Sequence, residues 1–496
     1  MTLDEPATTA ATDDTTTSRV TGPQRGAALA EHAFDVVYSR RLLLVVMLAV
    51  MGFGSLMTIV TISLSAIAED LDSSRATLGW IITGLMLAMA VTTPLFGKLG
   101  DIHGHRTIFL WGLLAGVFTT ALCGVAWDAA SLIGARVLFG VSGAMVMPNG
   151  MSLMMHAYGP RRRATAMGWF QFAMTGAPTI GLVVGGPLID VVGWRNIFFA
   201  FTGVAVIALA VGMSVVRPTP RHQGTTLDLM GAVTLGAAVL GGLLFVTRAT
   251  ETARGGGGAV SLLTDLPTIG WLALAVVGTV TFVRVERAAA TPMLELRYFR
   301  RRNFTAPMVA SALMQFAYMG GFVVIPILLN DVYGWAIGAT ALILAPRPGA
   351  FSISSPVGGY LASRVGDRPP IVAGAVAMVI SMIAFAAASD GGAVALIVVG
   401  LILSGVSAGI SQPGVASMVA GAVDPDDLGI ANGMSQQMMF VGIVSGIQVM
   451  LVALGNDPAV GDFVRTFALG GIVASAGLVA ALMTSNSRAP SEAAAH

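Results

Sequence analysis

Long runs without a charged side chain alternate along this chain with short clusters of arginine. Residues 42–68, between Arg41 and Glu69, carry no charge, and neither do 107–127 or 369–389. A bilayer core is about 30 Å thick and takes about 20 apolar residues to cross as a helix. Backbone polar groups in lipid must be paired within the segment, so each run reads as a helix. The pattern predicts an all-α integral membrane protein with fourteen transmembrane helices. They fall at 42–67, 76–97, 106–126, 130–156, 164–188, 196–216, 229–247, 267–284, 304–329, 337–357, 370–388, 392–416, 428–453 and 464–485.

Composition agrees. Hydrophobic residues make up 55% of the 496 positions and charged residues 11%, whereas soluble domains carry about 25% charged residues. The net charge of +1 points to no nucleic acid or acidic partner. The single cysteine, Cys123, excludes an intrachain disulfide and a multi-cysteine metal site. Residues 1–33 are rich in Thr, Ala and Asp and read as a disordered cytoplasmic tail, and 486–496 as a second one.

Cytoplasmic loops collect Lys and Arg. With the N-terminus inside, 20 of the 27 basic residues fall on the cytoplasmic side and 5 outside, while Arg136 and Arg347 fall within spans. This split predicts a multi-pass plasma-membrane protein with both termini cytoplasmic.

The chain also repeats itself. Pro94, Gly97, Leu99, Gly104 and Arg106 recur 262 residues later as Pro356, Gly359, Leu361, Gly366 and Arg368. Gly140, Pro148, Gly168 and Gln171 recur 265 residues later as Gly405, Pro413, Gly433 and Gln436. The repeat divides the chain into a six-helix bundle at 34–217, two inserted helices at 218–290 and a second six-helix bundle at 291–485. Parallel repeats place a solute site near the midplane, between the halves.

The stretch Gly97-Lys98-Leu99-Gly100-Asp101-Ile102-His103-Gly104-His105-Arg106 resembles the signature loop of the major facilitator superfamily. Arg136-Val-Leu-Phe-Gly140 is similar to the membrane-arginine motif of its fourteen-span drug:proton antiporter branch. Gly176, Gly181, Gly185 and Gly186 are similar to that branch's antiporter glycine motif. Trp194-Arg195-Asn-Ile-Phe-Phe199 and Leu344-Ala-Pro346-Arg347 also resemble it. Three departures stand out. Leu56 replaces the usual acid of the first span, Gly181 is followed by Leu182 rather than Pro, and Ile102 and His105 stand where arginines are common.

The resemblance implies a major facilitator fold and a secondary transporter that exports amphipathic small molecules by alternating access, coupled to protons and acting as a monomer. Gly97, Asp101, Gly104 and Arg106 are then a conformational latch, although a solvated loop acid is the plainer reading of Asp101. Asp101 suits either a helix N-terminus or an arginine as its partner. Arg136 and Arg347 are intramembrane charges that either pair structurally or act in transport. Gln171, Gln315, Tyr318, Gln412 and Gln436 are cavity or substrate candidates, with interhelical hydrogen bonding as the alternative for the glutamines. Asp331, near an outer end, is the candidate proton site. The sequence offers no catalytic constellation, metal site or cofactor motif. A lipid or metabolite carrier with little proton coupling and a non-transporting membrane sensor are the competing readings.

Overall fold

The computed structural model describes residues 36–72, 75–219, 228–254, 265–289, 296–335, 337–391, 393–455 and 458–486. The predicted tail 1–33, residues 487–496 of the second tail and the Gly255–Gly258 run lie outside these. The described residues are helical almost throughout. In chain order the helices are α1 (Val36–Asp70), α2 (Arg75–His103), α3 (His105–Gly124), α4 (Ala129–Val192), α5 (Trp194–Val215), α6 (Leu229–Arg254) and α7 (Leu266–Ala288). They continue with α8 (Arg302–Ile327), α9 (Ile337–Leu344), α10 (Pro346–Val365), α11 (Arg368–Gly391), α12 (Val394–Gly421), α13 (Leu428–Leu454) and α14 (Val460–Leu482).

Twelve helical stretches among the described residues are long and apolar enough to cross a membrane, against the fourteen that the charge pattern predicts. Two features account for the difference. One stretch, Ala129–Gly176, holds two predicted spans that meet without a loop. Within it Gly159 has φ 66° and ψ 174°, a non-helical conformation that turns the chain between two arms of α4. The other is the predicted span 337–357, which breaks at Ala345 into the short α9 and the 20-residue α10. Serines and glycines on the packed faces of α10, with Arg347 and Arg364, lower its average hydropathy.

Helices α1 to α5 pack mainly on one another, as do α8 and α10 to α14, while α6 and α7 pair together. The two groups meet where α2 crosses α13 and where the second arm of α4 crosses α10. Side chains facing outward are large and apolar, including Leu44, Trp111, Phe118, Val277 and Ile383. That is the surface a lipid-facing bundle requires, because lipid does not penalise exposed hydrocarbon. Opposite the arginine-rich end, Arg195 pairs with Asp70, and the Trp194 indole donates to the same carboxylate at 3.2 Å, tying α5 to the end of α1.

Candidate functional site

The two crossings between the halves fall on the repeated glycines. A Cβ on Gly433 of α13 would lie 2.8 Å from the Pro94 Cα of α2. A Cβ on Gly168 of α4 would lie 2.6 Å from the Ser355 carbonyl of α10 and 3.1 Å from the Pro356 Cα. Pro94 and Pro356, and Gly168 and Gly433, are the repeat partners found in the sequence. Likewise Gly97 abuts Gly429 backbone to backbone, as Gly359 abuts Ala164. Both crossings lie at the face that carries Arg161–Arg163. Small residues are required there because helix backbones approach too closely for side chains.

At the first crossing Asp101 is only 6% exposed and sits on α2 rather than in a loop. Its Oδ1 accepts from the Gly429 N–H at 2.7 Å and its Oδ2 from the Ile430 N–H at 3.0 Å. These are orphan donors of the first turn of α13, so an acid of one half caps a helix of the other. The positive end of the helix dipole adds to the attraction. The helix's own N-cap residue, Asp427, makes no cap bond. Its carboxylate instead takes Lys98 Nζ at 2.9 Å and the Tyr298 hydroxyl at 2.7 Å. Tyr298 is fully buried and belongs to the short 3-10 turn Leu296–Arg300, which leads into α8. Burial first, and the Asp427 carboxylate next, raise its phenol above the ordinary value, so it remains a donor.

His105 lies behind Asp101, with its Nε2 3.5 Å from Asp101 Oδ1 and its Nδ1 2.9 Å from Asn149 Oδ1. The Asn149 amide nitrogen donates to Phe96 and Met145 carbonyls, which fixes its orientation and makes His105 Nδ1 the donor. Arg106 lies apart. Its guanidinium donates to the Met213 carbonyl of α5 at 3.3 Å, within the same half. Gly104, with φ 90°, turns the chain from α2 into α3.

At the second crossing the Thr165 hydroxyl donates to the Gly359 carbonyl at 3.4 Å and the Ser352 hydroxyl to that of Phe172 at 3.3 Å. Arg163 reaches the Ala420 carbonyl of α12 at 3.4 Å. Asp367, in the α10–α11 turn, accepts from Ser417 at 3.3 Å. Burial pushes its carboxyl up to about 7, opposed by Ser417 and by Arg163.

Deeper in, Asn432 donates to Ser152 at 3.0 Å and Gln437 to the Ala90 carbonyl at 3.4 Å, both from one half to the other. Gln171, Gln412 and Gln436 line one cavity between the halves, with Met151, Met167 and Met439. Its volume of about 20 Å³ holds a single water, since about 10–15 Å³ is enough for one. Gln315 and Tyr318 lie off this cavity on α8, and Tyr318 packs against Arg347. Gly176 meets Ser352 of α10; the surroundings of Gly181, Gly185 and Gly186 and the side chain of Asp331 lie outside the described residues.

Arg136 is fully buried in the first arm of α4. Its Nε donates to the Ile81 carbonyl at 3.4 Å, and its two terminal nitrogens have no partner among the described residues. The Phe139 ring lies 5.5 Å away. Sequence reasoning missed Asp427, Tyr298, Asn432 and Asp367. The acids lie in polar loops where nothing local marks them, and their partners, Lys98 and Tyr298 for Asp427 and Ser417 for Asp367, are far away in the chain.

Residues 42–447 match the family model described as Major Facilitator Superfamily. Over 421 residues the chain is 30% identical to the tetracenomycin C resistance and export protein of Streptomyces glaucescens, covering 85% of this chain and 76% of that one. It is 26% identical over 423 residues to the multidrug transporter protein MdtP of Bacillus subtilis, covering 84% and 76%. The crystal structure of the human organic anion transporter MFSD10 shares the fold, with a TM-score of 0.65 at 16% identity, covering 88% of this chain and 99% of that one. The helix packing, the repeated crossings and these matches together make this chain a multi-pass member of the Major Facilitator Superfamily of membrane transporters.

Proposed function

We propose that the chain is a plasma-membrane exporter of amphipathic small molecules, working by alternating access and closed in this structure at its cytoplasmic face. The observation that carries the reading is the capping of α13 by Asp101 across the halves. It is a contact that must break for the halves to part on that side. Gly97 and Gly104 serve the latch by close approach and by the turn, and Arg106 steadies α3 against α5. Relatives named for export of tetracenomycin C and for multidrug transport support a drug-like substrate.

The finer reading is the fourteen-span drug:proton antiporter branch, with both termini cytoplasmic, the domain limits of the sequence analysis and a monomeric functional unit. Two observations support fourteen crossings. A straight helix of the 64 residues of α4 would run to about 96 Å at 1.5 Å per residue, three times a bilayer core, and Gly159 interrupts it. The 20 residues of α10 span about 30 Å at the same rise. Gly176, Gly181, Gly185 and Gly186 seal the interface near the midplane, and Asp331 is the proton site. Leu56, buried in the place of the usual acid, favours a second reading in which transport is coupled to protons weakly or not at all.

Efflux from proteoliposomes of anionic, neutral and cationic amphiphiles, with and without a pH gradient, tests both. Transport that collapses with a protonophore supports the antiporter. Transport indifferent to it leaves the second reading, and no transport of any class removes the proposal.

A further inference from the structure

Among the described residues, the charges buried in the middle of the spans are both cationic. Arg136 and Arg347 are both fully buried within the spans. The buried acids among the described residues are Asp101, committed to α13, and Glu286, in the last turn of α7. Neither arginine has an ion-pair partner among the described residues. A buried cation without a counter-charge is strongly unfavourable, and within a membrane bundle such a group is a functional site by default.

Arg347 is the better equipped of the two. It is the second residue of α10, at the end away from Arg364 and two residues beyond the break at Ala345. One of its terminal nitrogens donates to the Tyr318 carbonyl of α8, whereas Nε and the other terminal nitrogen have no partner among the described residues. The guanidinium lies 3.7 Å over the Tyr318 ring and 5.0 Å from that of Phe322. Ser311, Gln315, Tyr318 and Phe322 recur at helical spacing on one face of α8. Gln315 is only 4% exposed and its carbonyl oxygen is also unpaired. Gln412 donates to Ser311 at 3.1 Å and lines the cavity between the halves. A polar track thus leads from the shared cavity, along α8, to a cation with open donors and two aromatic faces.

Building on the exporter reading, we propose that Arg347, with Tyr318, Phe322 and Gln315, is a substrate subsite for acidic aromatic compounds, which bring a carboxylate or phenolate to the guanidinium and a flat ring to the aromatic faces. A charge-assisted hydrogen bond to an anion supplies the partner that the fold withholds. The aromatic rings accept the planar body of the ligand. The same positive interior repels organic cations.

Three probes of similar size test this on the full chain in nanodiscs and proteoliposomes: anthracene-9-carboxylate, its neutral carboxamide and the cation ethidium. The wild type is expected to bind the carboxylate at least about tenfold more tightly than the carboxamide, and ethidium more weakly than either. Arg347→Gln is expected to erase the carboxylate preference while carboxamide affinity changes little, and Arg347→Lys to restore part of it. Tyr318→Leu is expected to weaken carboxylate and carboxamide alike. A wild type that binds the carboxylate no better than the carboxamide overturns the subsite without recourse to any variant, and so does a preference that survives in Arg347→Gln. Efflux read in parallel separates the two levels. Export of carboxamide or ethidium with no carboxylate preference removes only the subsite, while export of none of the three removes the transporter reading.

Discussion

Asp101 and Gly429 are 328 residues apart in the chain and joined by a 2.7 Å hydrogen bond from the Gly429 N–H to the Asp101 carboxylate. The bond crosses between the halves, and its partner at Ile430 uses the other oxygen of the same acid. Hydrogen bonds to a charged group contribute about 1.5–3 kcal/mol each. Asp101→Asn keeps the shape and loses the charge. Opening of the arginine-rich face should then become roughly 10- to 100-fold easier. Transport should fall while membrane insertion is unchanged. Distances between spin labels on Arg161→Cys and Ser363→Cys, in a Cys123→Ala background, read the opening directly. Unchanged distances and unchanged flux would remove the latch.

The two crossings should be equivalent if they are halves of one repeated device. Gly168→Val and Gly433→Val each force a side chain into a facing backbone at under 3 Å. Overpacking of this kind costs about 1–3 kcal/mol. Both variants should widen the same face and lower transport to a similar degree. A large effect from one and none from the other would show that a single crossing carries the closure.

Asp367 gives folding stability a pH dependence with a definite sign. Its carboxyl is pushed up to about 7 by burial, against an ordinary value of about 4. A raised value means that the folded form holds the proton more tightly than the exposed group does. The associated stability is complete below about pH 4 and is lost as pH rises towards 7, with no further change above. Thermal unfolding from pH 5 to 8 should therefore show the wild type losing more stability with rising pH than Asp367→Asn. Parallel profiles would assign the pH response to other groups.

Arg136 offers a separation of stability from activity. Among the described residues its terminal nitrogens have no partner, and no acid pairs with its buried charge. Replacing buried charged groups with apolar ones is often neutral or stabilising by about 1–4 kcal/mol. Arg136→Met should therefore unfold at the same temperature as the wild type or higher. Transport should nonetheless fall by roughly tenfold, the effect of about 1.4 kcal/mol. A destabilised protein with normal transport per folded molecule would make the residue structural.

Much of the architecture was legible from the sequence because lipid imposes a one-dimensional rule. Helices follow from charge-free runs, and the Pro94–Pro356 and Gly168–Gly433 correspondences divided the chain into two halves; the structure places those same residues where the halves cross. Local hydropathy was less informative where packing replaced lipid. The serine- and glycine-rich α10 falls below the apolarity of a lipid-facing span, and α4 passes through Gly159 without a loop. Partners were not legible at all. Asp101 suited a helix end or an arginine equally well, and only the packing of α2 on α13 chose the helix end. Nothing near Asp427 in the chain announces Lys98 or Tyr298. Hydrophobicity and turn chemistry act between neighbours along the chain and can be read from order alone. The compensation of a buried charge depends on what the other half brings within about 3 Å, and that was settled only when the two halves met.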